Sequence, residues 1–411
     1  MITPVRLLHT SDWHLGHELM GHGRGAEHDA FLAWLLDTLE EARADCLLVT
    51  GDIYDVANPP VAAMQRLFRF VAQARARCPR LQIVMIGGNH DSALKIDLPG
   101  ALVDERVRFV GALPRTLSAP DRRPDCERIC LPLANADGET AAWLAAVPFC
   151  RPGDLGPGGL PQLYAKIAAD AVTRARGLPL VLSGHLHVVE GAVSELSERR
   201  IHVGGEEAQA TSLFGADAAY VALGHLHRPQ TIAGPGAAPI RYAGSPFPLS
   251  ATERDYRHSV TLVTLHPAGA EIEELPIPRP VPFLKVPAGA AAAPLDAVIA
   301  ELLALDIVAG DPETQPFLEV AVLVDGPEPR LQADVLAALQ GKPVRLTRIH
   351  RLARNDSGPA ALAAREQELA DLTPEAVFAE LHRRTHGGEP ADALARAFAA
   401  LVADAHGGVD A

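Results

Sequence analysis

Short apolar runs that stop abruptly in polar clusters recur through the first part of this chain. Val5-Arg-Leu-Leu-His9 leads into Thr10-Ser-Asp-Trp-His-Leu-Gly16. Cys46-Leu-Leu-Val-Thr50 leads into Gly51-Asp-Ile-Tyr-Asp55, and Leu81-Gln-Ile-Val-Met-Ile86 into Gly87-Gly-Asn-His-Asp91. Each run reads as a buried strand closing on a turn or loop. Between them Phe31, Leu32, Leu35, Leu36 and Leu39 recur at helical spacing, with Glu27 and Asp29 near the start, where the helix dipole favours acids. Pro59-Pro60 opens a second helix, with Leu67, Phe68 and Val71 on its buried side. Strand alternating with helix predicts a layered α/β domain.

Further on, Val107–Pro148 reads as short strands and turns, and 161–176 as a helix. Leu178-Pro-Leu-Val-Leu-Ser183 then ends in Gly184-His-Leu-His187, and Tyr220-Val-Ala-Leu223 in Gly224-His-Leu-His227. Arg241–Pro246 and His258–Leu265 are expected to be the last two strands of this domain. Beyond Pro276 the composition shifts: Pro278, Pro280 and Pro282 and the Ala-rich stretch 288–294 mark a linker and the edge of a new unit. Helices at 295–303 and 331–339 and strands at 317–324 and 344–349 make a small α/β module. Helices are expected at 360–372, at 373–384 with Thr373 as cap and Pro374 at the first position, and at 390–405.

Composition narrows the partners. With 411 residues there is room for two or three domains, and 48% hydrophobic and 21% charged residues are ordinary for a soluble globular protein. The 5% aromatic content argues against a wide base-stacking platform, and the net charge of −14 repels nucleic acid at long range. A nucleic-acid substrate therefore requires local basic loops, metal ions or a partner. The five cysteines (Cys46, Cys78, Cys126, Cys130, Cys150) are odd in number and form no C-x-x-C pair. Cys46 reads as a small core residue, and Cys126 and Cys130, lacking a second pair, as ordinary thiols rather than metal ligands. The pattern fits a reducing compartment. With no apolar signal core and no run near the roughly 20 apolar residues of a membrane span, a cytoplasmic location is expected.

Five strand ends thus carry Asp, His or Asn, and the candidates are Asp12, His14, Asp52, Asn89, His185, His225 and His227. Asp12 and His14, like His225 and His227, are spaced to face one side of an extended loop. Asp52 follows a strand and a glycine, so its two oxygens could each reach one of two metals. Mixed imidazole and carboxylate donors suit Mn²⁺, Fe²⁺ or Zn²⁺ better than Ca²⁺. A carboxylate bridging ions about 3.5–4 Å apart builds a centre for in-line attack on phosphorus. Any one of these histidines alone reads as a satisfied loop or core residue. The ordered set does not.

That set, Asp12-x-His14, Gly51-Asp52, Gly88-Asn-His-Asp91, Gly184-His185 and Gly224-His-x-His227, is similar to the motifs of the calcineurin-like metallophosphoesterases. The resemblance implies a four-layer α/β/β/α sandwich with a dinuclear centre at the strand ends. His9–Gly16, Gly51–Asp55 with Pro59-Pro60, Gly88–Asp91, Ser194–Arg199, Ala222–Gln230 and Arg241–Pro246 resemble the SbcD family, nuclease subunits in DNA double-strand-break repair. The likeness is good over roughly residues 1–265 and weaker, but consistent in layout, beyond them.

The resemblance implies Asp12, His14 and His227 on one metal, Asn89, His185 and His225 on the other, and Asp52 bridging. His90 would donate a proton to the leaving 3′-oxygen. Asp91 would either orient His90 or cap the following helix. The cofactors implied are two divalent ions, Mn²⁺ first, with Mg²⁺, Fe²⁺ or Zn²⁺ as alternatives. The activity implied is 3′→5′ exonuclease on duplex ends and endonuclease on single strands and hairpins, in end processing, repair, recombination and replication. The partner implied is an SbcC-type coiled-coil ATPase, in a heterotetramer around a homodimer of this chain. Residues 1–275 would form the nuclease domain, 276–352 a DNA-facing cap with Lys285, Lys342, Arg345, Arg348 and Arg351, and 353–411 the helices that dock the ATPase. Helices near 27–43 and 60–78 are candidate dimer contacts. Some relatives carry a histidine where this chain has Asp55. His187 falls outside the ligand pattern and is expected at the surface or behind a ligand, and His17, His22 and His28 in a polar loop within reach of a phosphate. Competing readings are a small phosphodiester or a phosphoprotein as substrate, and a metal-binding scaffold without catalysis.

Overall fold

The computed structural model describes residues 3–101, 103–116, 123–189, 191–192, 208–289, 291–326 and 328–353, with isolated positions between 382 and 398. The Ser194–Arg199 motif and, apart from those isolated positions, the helices expected at 360–372, 373–384 and 390–405 lie outside the described residues.

The apolar runs of the N-terminal part are continuous because both faces of their strands are buried. In Val5–Thr10, Val5 and Leu7 enter one core and Leu8 another; Cys46 and Leu48 separate in the same way from Leu47 and Val49, and Val84 and Ile86 from Ile83 and Met85. These strands, with Val107–Val110, form the parallel part of a six-stranded sheet. Antiparallel Ser259–His266 and Gly269–Pro276 extend it beyond Val5–Thr10. Gly269–Pro276 corrects the expectation that the domain's strands end near residue 265. Glu271, Glu273 and Glu274 are exposed along this edge strand, which hides the strand pattern while blunting the sheet edge.

The second six-stranded sheet runs Gln230–Ile232, Ile240–Tyr242, Tyr220–Gly224, Leu180–His185, Thr140–Ala145, Cys130–Ala134, its central four strands parallel. One core joins the two sheets through residues such as Leu7, Leu48, Leu144 and Val181, and takes in Tyr164 and Ile167 of the helix Gly159–Ala175. The other core packs the first sheet against the helices Gly25–Glu41 and Val61–Arg77 through Phe31, Leu35, Leu67 and Phe70. The layers are helix, sheet, sheet, helix, as the motifs implied. Phe68, expected inside, is 43% exposed; the turn of the helix buries Phe70 in its place.

Trp13 shows how this core positions chemistry. It is fully buried, meets Phe31 and Phe70 edge-to-face at 5.7 and 5.3 Å, and donates its indole N–H to Thr10 Oγ1 at 3.0 Å. Losing such a ring costs about 3–5 kcal/mol, so the loop bearing Asp12 and His14 is anchored between them.

The chain forms two compact units, one of residues 1–284, 306–319 and 341–348, the other of 285–305, 320–340 and 349–411. The first holds both six-stranded sheets. In the second, the helices Leu295–Ala304 and Leu331–Ala338 bury Val298, Leu302, Leu331 and Val335, and Ala293-Pro294 pairs in parallel with Val322-Leu323. No helix among the described residues is long and apolar enough to cross a membrane.

Candidate metal centre

Five parallel strands deliver the candidate side chains at their carboxyl ends, where α/β sheets open their sites. Asp12 and His14 follow Val5–Thr10, Asp52 follows Cys46–Thr50, and Asn89 follows Gln82–Ile86. His185 closes Leu180–His185, and His225 and His227 follow Tyr220–Gly224. The backbone is strained there: φ is +52° at Asp12, +44° at His14, +48° at Asp52 and +103° at His225. Such conformations cost about 1–3 kcal/mol each and concentrate at functional sites. Gly51, at φ +94°, has no alternative, because a Cβ there would overlap His185 Nδ1; a Cβ on Gly88 would overlap the Asp52 carboxylate.

All seven candidates converge. Potential ligand atoms of Asp12, His14 and His227 lie within 4.8 Å of one another, as do those of Asp12, Asp52 and His185. Asp52 Oδ2 stands between two imidazoles, 3.6 Å from His14 Nε2 and 3.4 Å from His185 Nε2, while Oδ1 accepts the His90 N–H at 2.9 Å. Asn89 Oδ1 lies 2.8 Å from His185 Nε2 and 3.2 Å from His225 Nδ1. His14 Nε2 is buried without a hydrogen-bond partner. A buried polar atom in that state is costly, and an electron pair aimed into carboxylates and imidazoles is what a cation needs. The donor set fits divalent ions.

Three of the histidines are steered by what their other ring nitrogen meets, the arrangement that orients metal-binding imidazoles. His185 Nδ1 faces the Thr50 carbonyl at 2.8 Å, His227 Nδ1 faces Glu253 Oε1 at 2.9 Å, and His14 Nδ1 faces Asp55 Oδ1 at 3.2 Å. Sequence reasoning missed Thr50, Glu253 and this use of Asp55. Asp55 could have been found from its place in Gly51–Asp55. Nothing in the stretch Ser250-Ala-Thr-Glu253 marks a residue that meets His227 across 26 positions.

In the protein alone these charges offset one another. Burial would raise the Asp52 carboxyl, but His185, His14 and His90 outweigh it and hold it well below the usual range. Burial would lower His185, but Asp52, then Asp12, lift it to about 9. Burial, then the repulsion of His185, holds His225 well below the ordinary imidazole range. Asp12 is raised, chiefly by burial, with His185 and His227 opposing. Cations entering here would displace protons.

His90 is half-buried beside this group, its ring 4.9 Å from that of His14, and its Nδ1 lies 2.7 Å from the Asp55 carbonyl. A carbonyl only accepts, so Nδ1 carries the proton and Nε2 is the nitrogen left for chemistry. A cleft of about 350 Å³ beside it is lined by His14, His17, His90, His227, Glu319 and Arg348.

Asp91 does neither of the things expected of it. Its carboxylate accepts the backbone N–H groups of Ile53, Tyr54 and Gly88 at 3.0, 2.9 and 2.9 Å, while the helix Ala93–Asp97 begins after Ser92 with no side-chain cap. It is a clamp between two strand-end loops. Burial, then repulsion from Asp52, pushes it up to about 6. His28 also differs from expectation: it is buried in the first helix, with Nε2 3.1 and 3.0 Å from the carbonyls of Trp13 and His14, and cannot reach a phosphate. Glu27 lies in the first turn of that helix, as expected, and is there buried and paired with Arg24. His22 faces the Leu346 carbonyl at 3.1 Å, and His17 lines the cleft. His187 is half-buried behind His225, ring to ring 6.2 Å.

Comparison with known proteins agrees with this geometry. The calcineurin-like phosphoesterase family matches residues 5–229, and a family described as type 5 capsule protein repressor C-terminal domain matches residues 279–386. The SbcD component of the nuclease SbcCD from Rhodobacter capsulatus is 40% identical over 391 residues, covering 91% of this chain and 94% of that protein. Its namesake in Escherichia coli K12 is 32% identical over 400 residues, covering 91% and 92%, and that of Bacillus subtilis 32% identical over 275 residues, covering 64% and 67%. This chain therefore belongs to the SbcD family of calcineurin-like phosphoesterases and is a metal-dependent phosphodiesterase of the nuclease kind.

Proposed function

We propose that the chain is the nuclease subunit of an SbcCD-type complex, cutting DNA with two divalent ions, Mn²⁺ foremost. In this reading it acts 3′→5′ on duplex ends and endonucleolytically on single strands and hairpins. The observation that carries it is Asp52 Oδ2 lying between His14 Nε2, which has no other partner, and His185 Nε2. Asp12, His14 and His227 would hold one ion, Asn89, His185 and His225 the other, and Asp52 would serve both. Bound there, such ions supply Lewis-acid stabilisation of the phosphoryl oxygens and a nucleophile at neutral pH.

The chain's own residues do the rest. The Asp55 carbonyl fixes the His90 tautomer, and His90 Nε2, once protonated, donates to the departing 3′-oxygen. Glu253 and Thr50 hold His227 and His185 in register. Arg348, on the cleft wall with His90 and His227, offers a cation to the DNA backbone in a chain that is otherwise acidic. The SbcCD in its relatives' names supports an SbcC-type ATPase as partner, docked by residues 353–411, with residues 276–352 as the DNA-facing cap and two copies of this chain in a heterotetramer.

Purified chain is incubated with hairpin and linear duplex DNA, with Mn²⁺ or EDTA, with and without an SbcC-type ATPase and ATP, beside a simple aryl phosphodiester. Cleavage of DNA that needs Mn²⁺ and rises with the ATPase is the expected result. Turnover of the small diester with DNA untouched in every mixture would overturn the nuclease reading and leave the metal centre standing. His90→Ala should lower cleavage by about 10²–10⁴-fold with the bound-metal content unchanged. Activity close to wild type in that variant would remove His90 as the proton donor.

A further inference from the structure

Outside the strand-end centre, one more set of donors converges among the described residues: Cys126, Cys130 and Asp170, whose ligand atoms all lie within 4.8 Å of one another. Cys126 opens the one-turn helix Cys126–Ile129, Cys130 opens the edge strand Cys130–Ala134, and Asp170 lies on the helix Gly159–Ala175, against which that one-turn helix packs. Spacing of i to i+4 across one helical turn stacks the two thiols on one face, and they are in hydrogen-bond contact. Cys130 is buried, whereas Cys126 and Asp170 are partly exposed, so a small solute can reach the group.

We propose that Cys126, Cys130 and Asp170 bind a thiophilic divalent cation of the Zn²⁺ class, with water completing a four-coordinate shell. Two thiolates make the donor set soft, which selects such ions over Mg²⁺ or Ca²⁺. With Zn–S bonds of about 2.3 Å, a tetrahedral ion spaces its sulfurs about 3.8 Å apart, inside the observed limit of 4.8 Å. Charge closes as well. Two thiolates and a carboxylate carry three negative charges; a divalent cation and the Arg174 guanidinium, bonded through Nε to Asp170 Oδ1, balance them. That bond is the outer support ligating carboxylates usually have, and it leaves Oδ2 for the ion. The cation would pin the edge of the second sheet to the Gly159–Ala175 helix, far in kind from the histidine-rich centre. A search for a second cysteine pair cannot find this site, because its third donor is a carboxylate 40 positions beyond Cys130.

The test uses the full chain, reduced, with the strand-end centre loaded by excess Mn²⁺, titrated with Cd²⁺ while the sulfur-to-cadmium charge-transfer absorption is followed. The strand-end centre offers no sulfur, so the band reports thiols alone, and the serine variants assign it among the five free cysteines. Expected is a band that saturates at one equivalent in wild type and in Cys150→Ser and is lost in Cys126→Ser and Cys130→Ser. Asp170→Asn should keep the band with affinity at least about tenfold weaker; being partly exposed, it keeps the test decisive if the serine variants misfold. A wild-type chain without the band overturns the proposal, and so does a band unchanged in the double serine variant or an Asp170→Asn affinity equal to wild type. If the reduced chain takes up no Cd²⁺ and oxidised glutathione converts the pair to a disulfide, the thiols are a redox couple and the proposal falls.

Discussion

The strand-end centre and the thiol corner gather donors in opposite ways. The first draws seven side chains from five strands across 216 positions, from Asp12 to His227, holds four of them in left-handed backbone, and steers three histidines from behind. The second draws on one turn of helix and the helix it packs against, with no left-handed residue among its donors and with Arg174 as an outer partner. Strain on that scale persists only where the surroundings over-determine it, and the two packed cores supply that rigidity. The comparison sets side chains gathered across the whole fold and rigidly held against donors assembled from neighbouring turns.

Removing a central donor should break the first arrangement most. Asp52→Asn keeps the volume but loses the charge that both His14 and His185 face. Expected is a fall in diester hydrolysis of roughly 10³-fold or more, several kcal/mol of lost stabilisation, with an unchanged circular dichroism spectrum. Residual activity within tenfold of wild type would remove Asp52 from the middle of the centre. Next in size is the clamp: Asp91→Ala leaves three backbone N–H groups without their acceptor, a loss of roughly 3 kcal/mol or more at about 1–3 kcal/mol per group. A denaturant midpoint unchanged from wild type would contradict the clamp. Glu253→Gln is milder. It weakens the hold on His227 and should lower Mn²⁺ affinity about 10–100-fold in equilibrium dialysis, with Cd²⁺ binding at the thiol corner unaffected. A loss at both sites would mean a global effect and erase the distinction between them.

The effects at Asp91 and Glu253 fall where the sequence was least legible. The candidate side chains themselves were readable, because a carboxylate or imidazole at the end of a run such as Leu81–Ile86 is conspicuous and the same ending recurs five times. Their supports were not. Thr50 acts through a backbone carbonyl, which any residue would supply, and Glu253 comes from a short 3-10 turn between strands. Asp91 looked catalytic because it adjoins His90, yet its carboxylate turns back into the loops. Periodicity placed the helix Val61–Arg77 and still misassigned Phe68, since one residue's rotation about the axis decides between exposed Phe68 and buried Phe70. The strand Gly269–Pro276 was missed because its exposed glutamates conceal the period. Pattern reports what a buried face requires, and falls silent where one side chain answers another across the fold.

The smallest expected effect probes the scaffold beneath the strand-end centre. His9 is buried with Nδ1 2.9 Å from the Tyr220 hydroxyl and Nε2 2.9 Å from Thr50 Oγ1, joining the ends of strands from both sheets. Burial, then the charge of Arg241, pushes it down to about 3 from an ordinary value of 6.5. Between those values the unfolded chain binds a proton that the folded chain refuses, so this group's contribution is intact above pH about 6.5 and is lost as pH falls towards 3, at most about 1.4 kcal/mol per pH unit. His9→Gln removes that titration and can still bridge Tyr220 and Thr50. It should be less stable than wild type near pH 7, through imperfect packing, and lose stability less steeply on acidification. Urea midpoints measured from about pH 7 to pH 4.5 decide the matter. Parallel slopes would mean that His9 does not couple folding to protons and that acid reaches the centre through its carboxylates alone; a shallower slope in the variant makes the buried imidazole part of what keeps five strand ends in register.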